Sequence, residues 1–259
     1  MILQAFPIFT ESHILRKEML EALSDYGILY HQYFYKGYAN GIVTGCELTT
    51  TKEAIIVNPG VLCCQEKLYL IKEPMSVEYE ATDVTSIVKF QFSDEIVTEN
   101  FLSREIELLI TSEEKMLKGD MELCRFKLQR GAKLRYEYQD FDDRNTEYDT
   151  LNTIYAPYAA RERATISLHI VQAFAKEMLR NEKLSEFDSM FCIQVLNQTQ
   201  AMGKEALIAY IQQRLQSKMK ADTNFDIYKN LSLILGETKH GRDSTVSKQK
   251  RNQWKIKID

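Results

Sequence analysis

This sequence holds residues capable of acid–base, nucleophilic and metal chemistry, but they are not spaced for it. The four histidines, His13, His31, His169 and His240, form no His-x-x-x-His or His-Glu-x-x-His pair, which excludes a zinc-protease-like site. His169 stands between Leu168 and Ile170 and reads as a histidine of a helix surface or core. There is no Gly-x-x-x-x-Gly-Lys-Ser/Thr phosphate loop, no Gly-x-Gly-x-x-Gly fingerprint and no Gly-x-Ser-x-Gly elbow. The nearest glycine-rich stretch, Gly37, Gly41 and Gly45, has an even spacing of four and no strand before it. The five cysteines, Cys46, Cys63, Cys64, Cys124 and Cys192, include no Cys-x-x-Cys pair. Cys63 and Cys64 are adjacent, so on a strand they face opposite sides and cannot share a metal. They read as reduced core thiols of a cytoplasmic protein. A cysteine nucleophile would need a base, and none is supplied locally.

Two acidic or basic stretches carry the remaining chemical options. Asp140, Asp142 and Asp143 are the best cation candidates, since loop carboxylates at such spacing can converge on a hard ion. The glycine and glutamate that an EF-hand requires are not in register with them, and a solvated connector is the favoured reading. From Lys239 onward seven Lys or Arg stand against Asp243 and Asp259. Trp254 among these cations could stack on a base beside phosphate contacts. Alternation of Trp254, Ile256 and Ile258 also fits a strand added to a partner's sheet edge. A tail that orders on an acidic neighbour is the blander reading. No catalytic residue, cofactor or metal ligand is assigned.

The elements that would position such groups follow from periodicity. Leu15, Met19, Leu23, Tyr26, Tyr30 and Tyr33 recur at helical steps, predicting a helix from Glu11 to about Tyr35. Thr10 or Ser12 would cap it, and Gly27 is a possible kink. Short β-branched runs follow: Ile42–Leu48, Glu53–Asn58, Val61–Ile71, Met75–Glu80, Ser86–Phe92, Arg104–Thr111, Met121–Gln129 and Leu134–Tyr138. Asn58-Pro59-Gly60 reads as a turn that fixes a hairpin register. Seven or eight strands in about 100 residues predict an antiparallel β-sandwich. A polar stretch around Asp140–Glu147, with Pro157 beyond it, is read as a linker. Four helical stripes come next: Ile166, Ile170, Phe174 and Met178; Phe187, Phe191 and Val195; Leu207, Ile211 and Leu215; and Phe225, Tyr228, Leu231 and Leu235, stopped by Gly236. The expected organisation is α+β: residues 1–145 form an N-terminal helix and β-sandwich, 146–160 a linker, 161–236 a small helical bundle, and 237–259 a basic tail.

Composition sets the outer limits. The 259 residues suffice for a sizeable core without disulfides. Lys plus Arg number 33 against 37 Asp plus Glu, a net charge of −4, which argues against a whole-protein nucleic-acid binder. With 10 Gly and 4 Pro, a collagen-like or low-complexity chain is excluded. Met1–Phe9 lacks the basic start and cleavage site of a signal peptide, and no apolar run approaches the roughly 20 residues that span a bilayer. The expectation is a cytoplasmic chain with no membrane insertion and no nucleic-acid partner.

Three segments resemble baseplate and tail proteins of phage-like contractile injection systems, including the type VI secretion baseplate adaptor. They are Phe9-Thr10-Glu11-Ser12-His13-Ile14-Leu15 opening the Tyr-rich helix; Gly41-Ile42-Val43-Thr44-Gly45-Cys46-Glu47-Leu48 with Ala54–Val61; and Leu123–Phe126 through Gly131-Ala132 to Phe141-Asp142-Asp143-Arg144. Cys46 replaces a usual aliphatic, and Gln65-Glu66 a usual small turn. The resemblance covers about residues 1–145. It implies a non-enzymatic structural subunit that assembles with other baseplate or tail subunits, as a homo-oligomer, into a tail-like particle. Tyr30, Tyr33, Phe34, Tyr35 and Tyr38 are interface candidates because they exceed what one helix face buries; Trp254 is a sixth. The alternative is a carbohydrate- or peptide-binding β-sandwich with a helical adaptor. An enzyme using scattered carboxylates, or a nucleic-acid protein using the tail, is a further class.

Overall fold

The computed structural model describes residues 6–12, 14–182, 184–216 and 222–240. The tail beyond them, Trp254 included, lies outside the described residues. Helix α1 (Lys17–Phe34) precedes a run of short strands: β1 (Gly41–Gly45), β2 (Leu48–Thr50), β3 (Ala54–Val57), β4 (Gly60–Cys64), β5 (Lys67–Ile71), β6 (Met75–Glu78), β7 (Thr85–Phe92), β8 (Ile96–Val97), β9 (Leu102–Ser103), β10 (Ile106–Thr111) and β11 (Met121–Lys127). Helices α2 (Leu168–Met178), α3 (Glu186–Leu196), α4 (Lys204–Leu215) and α5 (Asn224–His240) follow. This is the α+β order expected from the change in periodicity. The strands form antiparallel sheets β1-β4-β5, β2-β3-β6 and β10-β7-β11, with β8 and β9 as a small hairpin. Leu62 and Tyr69, Ile55 and Val57, and Phe90 and Phe126 bring the three sheets onto one apolar core.

The imperfect alternation of β11 has a local cause. Met121 pairs with Phe90 and Glu122 with Lys89, but Cys124 pairs with Val88, so Leu123 is an extra residue. A bulge switches the phase of the strand, which lets Met121, Leu123, Cys124 and Phe126 all be buried. The single run expected over Val61–Ile71 is a hairpin, β4–β5. Gln65 and Glu66 both take positive φ, 51° and 61°, as a two-residue turn with right-handed strand twist requires.

Other expectations are corrected. α1 begins at Lys17, with Arg16 and no side-chain cap at its start. Ser12, at φ 68°, cannot continue a right-handed helix. Gly27 does not break α1. The Asn58-Pro59-Gly60 turn closes no hairpin: β3 pairs with β2 and β6, whereas β4 pairs with β1 and β5. Instead it carries the chain between sheets, with Cys46 N–H donating to the Pro59 carbonyl at 3.2 Å. Leu134–Tyr138 is no strand, only a bridge from Arg135 to Thr150. Gly236 does not stop α5, which runs to His240.

The helices pack through the stripes read from the sequence, with one shift. In α3 the buried face is Asp188, Phe191, Cys192 and Val195, while Phe187 is exposed. The cause is Asp188, whose carboxylate accepts from Tyr210 Oη at 2.8 Å and from Arg214 Nε at 3.0 Å. Those partners draw a polar residue inward, and Phe191 stacks on Tyr210 with centroids 3.6 Å apart. Arg214 also reaches Glu237, so one guanidinium joins α3, α4 and α5.

Residues 146–160, read as a linker from their polarity, are packed. Leu151 and Ala156 belong to the sheet core and Ile154 to the helical core. Gly41 marks how tightly this segment crosses β1: a Cβ there would lie 2.6 Å from Ala159 N and 2.8 Å from the Pro157 carbonyl oxygen. Gly45 is at φ 70°, where a Cβ would meet the Pro59 carbonyl at 2.3 Å.

The five thiols are buried and none forms a disulfide. Cys63 and Cys64 do face opposite ways, into different apolar clusters. Burial pushes the Cys46 and Cys192 thiols up to about 12.

These contacts set opposite signs for two glycine substitutions in urea unfolding. Gly41→Ala is expected to destabilise by about 2–3 kcal/mol through backbone overlap. Gly236→Ala, helical and with open space around it, is expected to stabilise by up to about 1 kcal/mol.

Candidate protein interface on the first helix

α1 contains no buried residue. That is unusual for its sequence, because from Tyr26 to Tyr35 it carries no Asp, Glu, Lys or Arg. Leu20, Leu23, Tyr26, Ile28, Leu29, Tyr30, Tyr33 and Phe34 are all exposed, Tyr33 at 72% and Phe34 at 48%. A helix apolar around so much of its circumference normally sits inside a core or an interface.

Side-chain geometry orders this surface. Residues four apart share a helix face, and here they are aromatic. Tyr26 stacks on Tyr30 at 6.4 Å and Tyr30 on Phe34 at 6.2 Å. Phe6 meets Tyr26 edge-on at 5.7 Å, and Phe34, Tyr35 and Tyr38 continue the chain at 5.0 and 5.2 Å. The result is a ladder of rings along the C-terminal half of the helix.

The interface candidates therefore divide. Tyr30, Tyr33 and Phe34 stand in solvent, so the core reading fails for them. Tyr35 and Tyr38 are half-buried against Val43, Cys63 and Ala159 and anchor the end of α1 to the sheets. Burial, with Tyr38 beside it, raises the Tyr35 phenol. Trp254 lies outside the described residues.

Sequence reading missed the opposite wall. Leu23, Ile28 and Tyr35 face Val61, Leu68 and Leu70 across a cleft of about 930 Å³. Leu70 on β5 is 63% exposed. Arg104 lines the cleft but is neutralised by Glu95, which accepts from Arg104 Nε and Lys67 Nζ at 2.7 Å each. Those two cations hold the Glu95 carboxyl below its ordinary value. The charge-poor stretch between Asp25 and Lys36 was the available signal. The solvent-facing side of β5 gave none, since one exposed leucine is ordinary on any surface.

The other sequence candidates assemble into structure rather than a reactive site. Asp143 accepts a two-pronged pair from Arg135 at 2.8 and 3.0 Å, and further bonds from Gln139 N–H and Thr146 Oγ1. Asp140 accepts from Asp143 N–H, and Asp142 from Ser232 Oγ at 2.6 Å. These carboxylates serve protein donors and tie the turn to α5; no group of three metal-ligating side chains occurs among the described residues. The Arg135 guanidinium holds the Asp143 carboxyl well below the usual carboxylate range. His169 is exposed on α2, and His31 lies on α1. No helix among the described residues is long and apolar enough to cross a membrane.

No protein-family model matches this sequence, and no curated protein does. Among solved structures, the crystal structure of TssK aligns over 90% of this chain and 72% of that chain, with 9% identity and a TM-score of 0.41. A subunit in the cryo-electron microscopy structure of the type VI secretion system TssK–TssF–TssG baseplate subcomplex aligns over 90% of this chain and 99% of that chain, with 7% identity and a TM-score of 0.38. Overlaps this loose carry no argument about what the chain does.

Two outcomes follow. Tyr33→Ser should leave urea stability within about 0.5 kcal/mol, as for any exposed site, whereas Phe174→Ala in the helical core should cost about 3–5 kcal/mol. Asp143 releases its proton more readily folded than unfolded. Its pair therefore adds stability above the ordinary Asp pKa of about 4, and that contribution is lost as pH falls toward the lower folded value. Asp143→Asn should be less stable than wild type at pH 7, and the difference should shrink through the acid range when unfolding is followed at successive pH values.

Proposed function

We propose that this chain is a structural, non-enzymatic subunit of a baseplate or tail of a contractile injection system or phage tail, and that it assembles by packing α1 against α1 of a second copy. The observation that carries the reading is the apolar C-terminal half of α1, without Asp, Glu, Lys or Arg from Tyr26 onward and left in solvent. Helices in proteins draw most of their stability from packing an apolar face rather than from propensity, so α1 needs a covering surface. A second copy fits the pattern. Leu20, Leu23, Tyr30 and Phe34 recur at the three- and four-residue steps of a coiled-coil seam, with Gly27 at the intervening position. The lack of charge from Tyr26 to Phe34 and the abundance of Tyr match an interface core. The resemblance of residues 9–15, 41–61 and 123–144 to baseplate and tail proteins supports the same class of function. In this reading the sheets and the helical bundle supply further docking faces for other subunits.

One alternative keeps a specific observation. The cleft between α1 and β5 has aliphatic walls and would take an apolar peptide segment more readily than a sugar. Saturable peptide binding by a monomer would favour it.

Sedimentation velocity of the purified chain over a range of concentrations tests the proposal. The wild type should associate. A Leu23→Ser, Tyr30→Ser, Tyr33→Ser variant should associate at least tenfold more weakly, a loss of about 1.4 kcal/mol or more, with unchanged unfolding of the two cores. Far-UV circular dichroism should lose helix signal on dissociation. A wild type that stays monomeric at every concentration, or a variant that associates equally well, would overturn it.

A further inference from the structure

Arg144 stands in the 3₁₀ turn Asp142–Asn145, half-buried. Its guanidinium lies over the Tyr138 ring, 4.2 Å from the centroid. Its Nε is shielded from solvent and has no hydrogen-bond acceptor among the described residues. No carboxylate pairs with it among the described residues; adjacent Asp143 is taken by Arg135. Burial lowers the Arg144 guanidinium from its ordinary value. A shielded N–H without an acceptor is costly unless something supplies one, and ring stacking supplies no lone pair; the rest of the half-buried Arg144 side chain reaches the surface.

Arg144 also lines a half-open pocket of about 130 Å³. The cavity lies where the sheet core meets the start of α2. Ile42, Leu48 and Leu151 line it as apolar wall, and Ser167, the residue that begins α2, and His169 line it as well. The first N–H groups of a helix have no partner within it, and that end is positive. Glu47, which is exposed, is the one carboxylate in the lining. An apolar wall, one planar fork of N–H donors and a positive helix end together define the ligand. The fork matches a carboxylate in shape. The half-buried Arg144 cation balances one negative charge, and the aliphatic wall accommodates a short carbon chain better than a phosphate's fourth oxygen.

We infer that the cavity between the sheet core and the start of α2 is a binding site for a small aliphatic carboxylate held by Arg144. The carboxylate supplies the acceptor that Arg144 lacks, and its carbon chain covers Ile42, Leu48 and Leu151. The same group can arrive as a free acid or as a glutamate side chain.

The test is a nitrogen–proton NMR titration of the full chain with sodium butyrate at constant ionic strength. The expected result is a saturable shift of the Arg144 Nε–H resonance together with the Ser167 and His169 amides, with a Kd of about 1 mM or tighter. In Arg144→Gln the butyrate shifts of those amides should weaken at least tenfold while the rest of the spectrum stays in place. Should that variant fail to fold, the Nε–H titration of the wild type decides alone. N-acetylglutamate amide is the second probe. Competition with butyrate assigns the site to a protein side chain as well as to free acids, and lack of competition assigns it to free acids; either result upholds the carboxylate chemistry. Absence of a saturable Arg144 shift with butyrate would overturn the inference. So would equal shifts from inorganic phosphate, which would mark a site for any counter-ion.

Discussion

The backbone of residues 149–165 is the constraint on which the rest of the structure depends. Arg125 and Asn152 exchange both backbone hydrogen bonds, at 2.9 and 2.8 Å, which adds this segment to the edge of β11. Ile42 N–H donates to the Pro157 carbonyl and Ala159 N–H to the Ile42 carbonyl, which adds it to β1. Tyr158 and Thr165 then pair with each other, and Asn224 at the start of α5 donates to the carbonyls of Ala156 and Thr165. A segment bonded to both halves cannot act as a flexible joint. Tyr228 of α5 reinforces it by stacking on Phe141 at 4.8 Å and donating to the Phe141 carbonyl at 2.9 Å. The sheet core and the helical core are thereby fixed to one another.

The same constraint explains the position of α1. Ala39 N–H donates to the Ala160 carbonyl, and Glu162 N–H to the Gly37 carbonyl. Tyr35 and Tyr38 pack where this segment crosses β1. The chain is thus held firmly just past the end of α1, while the helix itself rests on no core. The orientation of the helix is set at its root, and its surface is left exposed beside β5.

What could be read from sequence was whatever has a local period. The helical stripes of α2, α4 and α5 lie where the spacing of Phe174, Ile211 and Leu231 puts them, because burial of one face dictates that spacing. Most strands were visible for the same reason. The errors come from non-local partners. Leu123 breaks the alternation of β11 because a bulge is set by the register with β7, which one strand alone does not encode. Asp188 turned the buried face of α3 by one residue because its partners, Tyr210 and Arg214, lie on another helix. Residues 146–160 looked like a linker because their polar side chains hide how their backbone is used. For the candidate interface, Tyr30, Tyr33 and Phe34 were legible as too many rings for one helix to bury. The cleft wall at Leu70 and the unpaired Arg144 were not, because both depend on what the fold brings near them, or fails to.

In the proposed assembly α1 is covered by a second copy. Hydrogen–deuterium exchange of the backbone amides of residues 17–34, compared between the associated and dissociated chain, tests this most directly. The account predicts strong protection of α1 on association, with exchange in the buried strands β7 and β11 unchanged. Equal exchange of α1 in both states would contradict it.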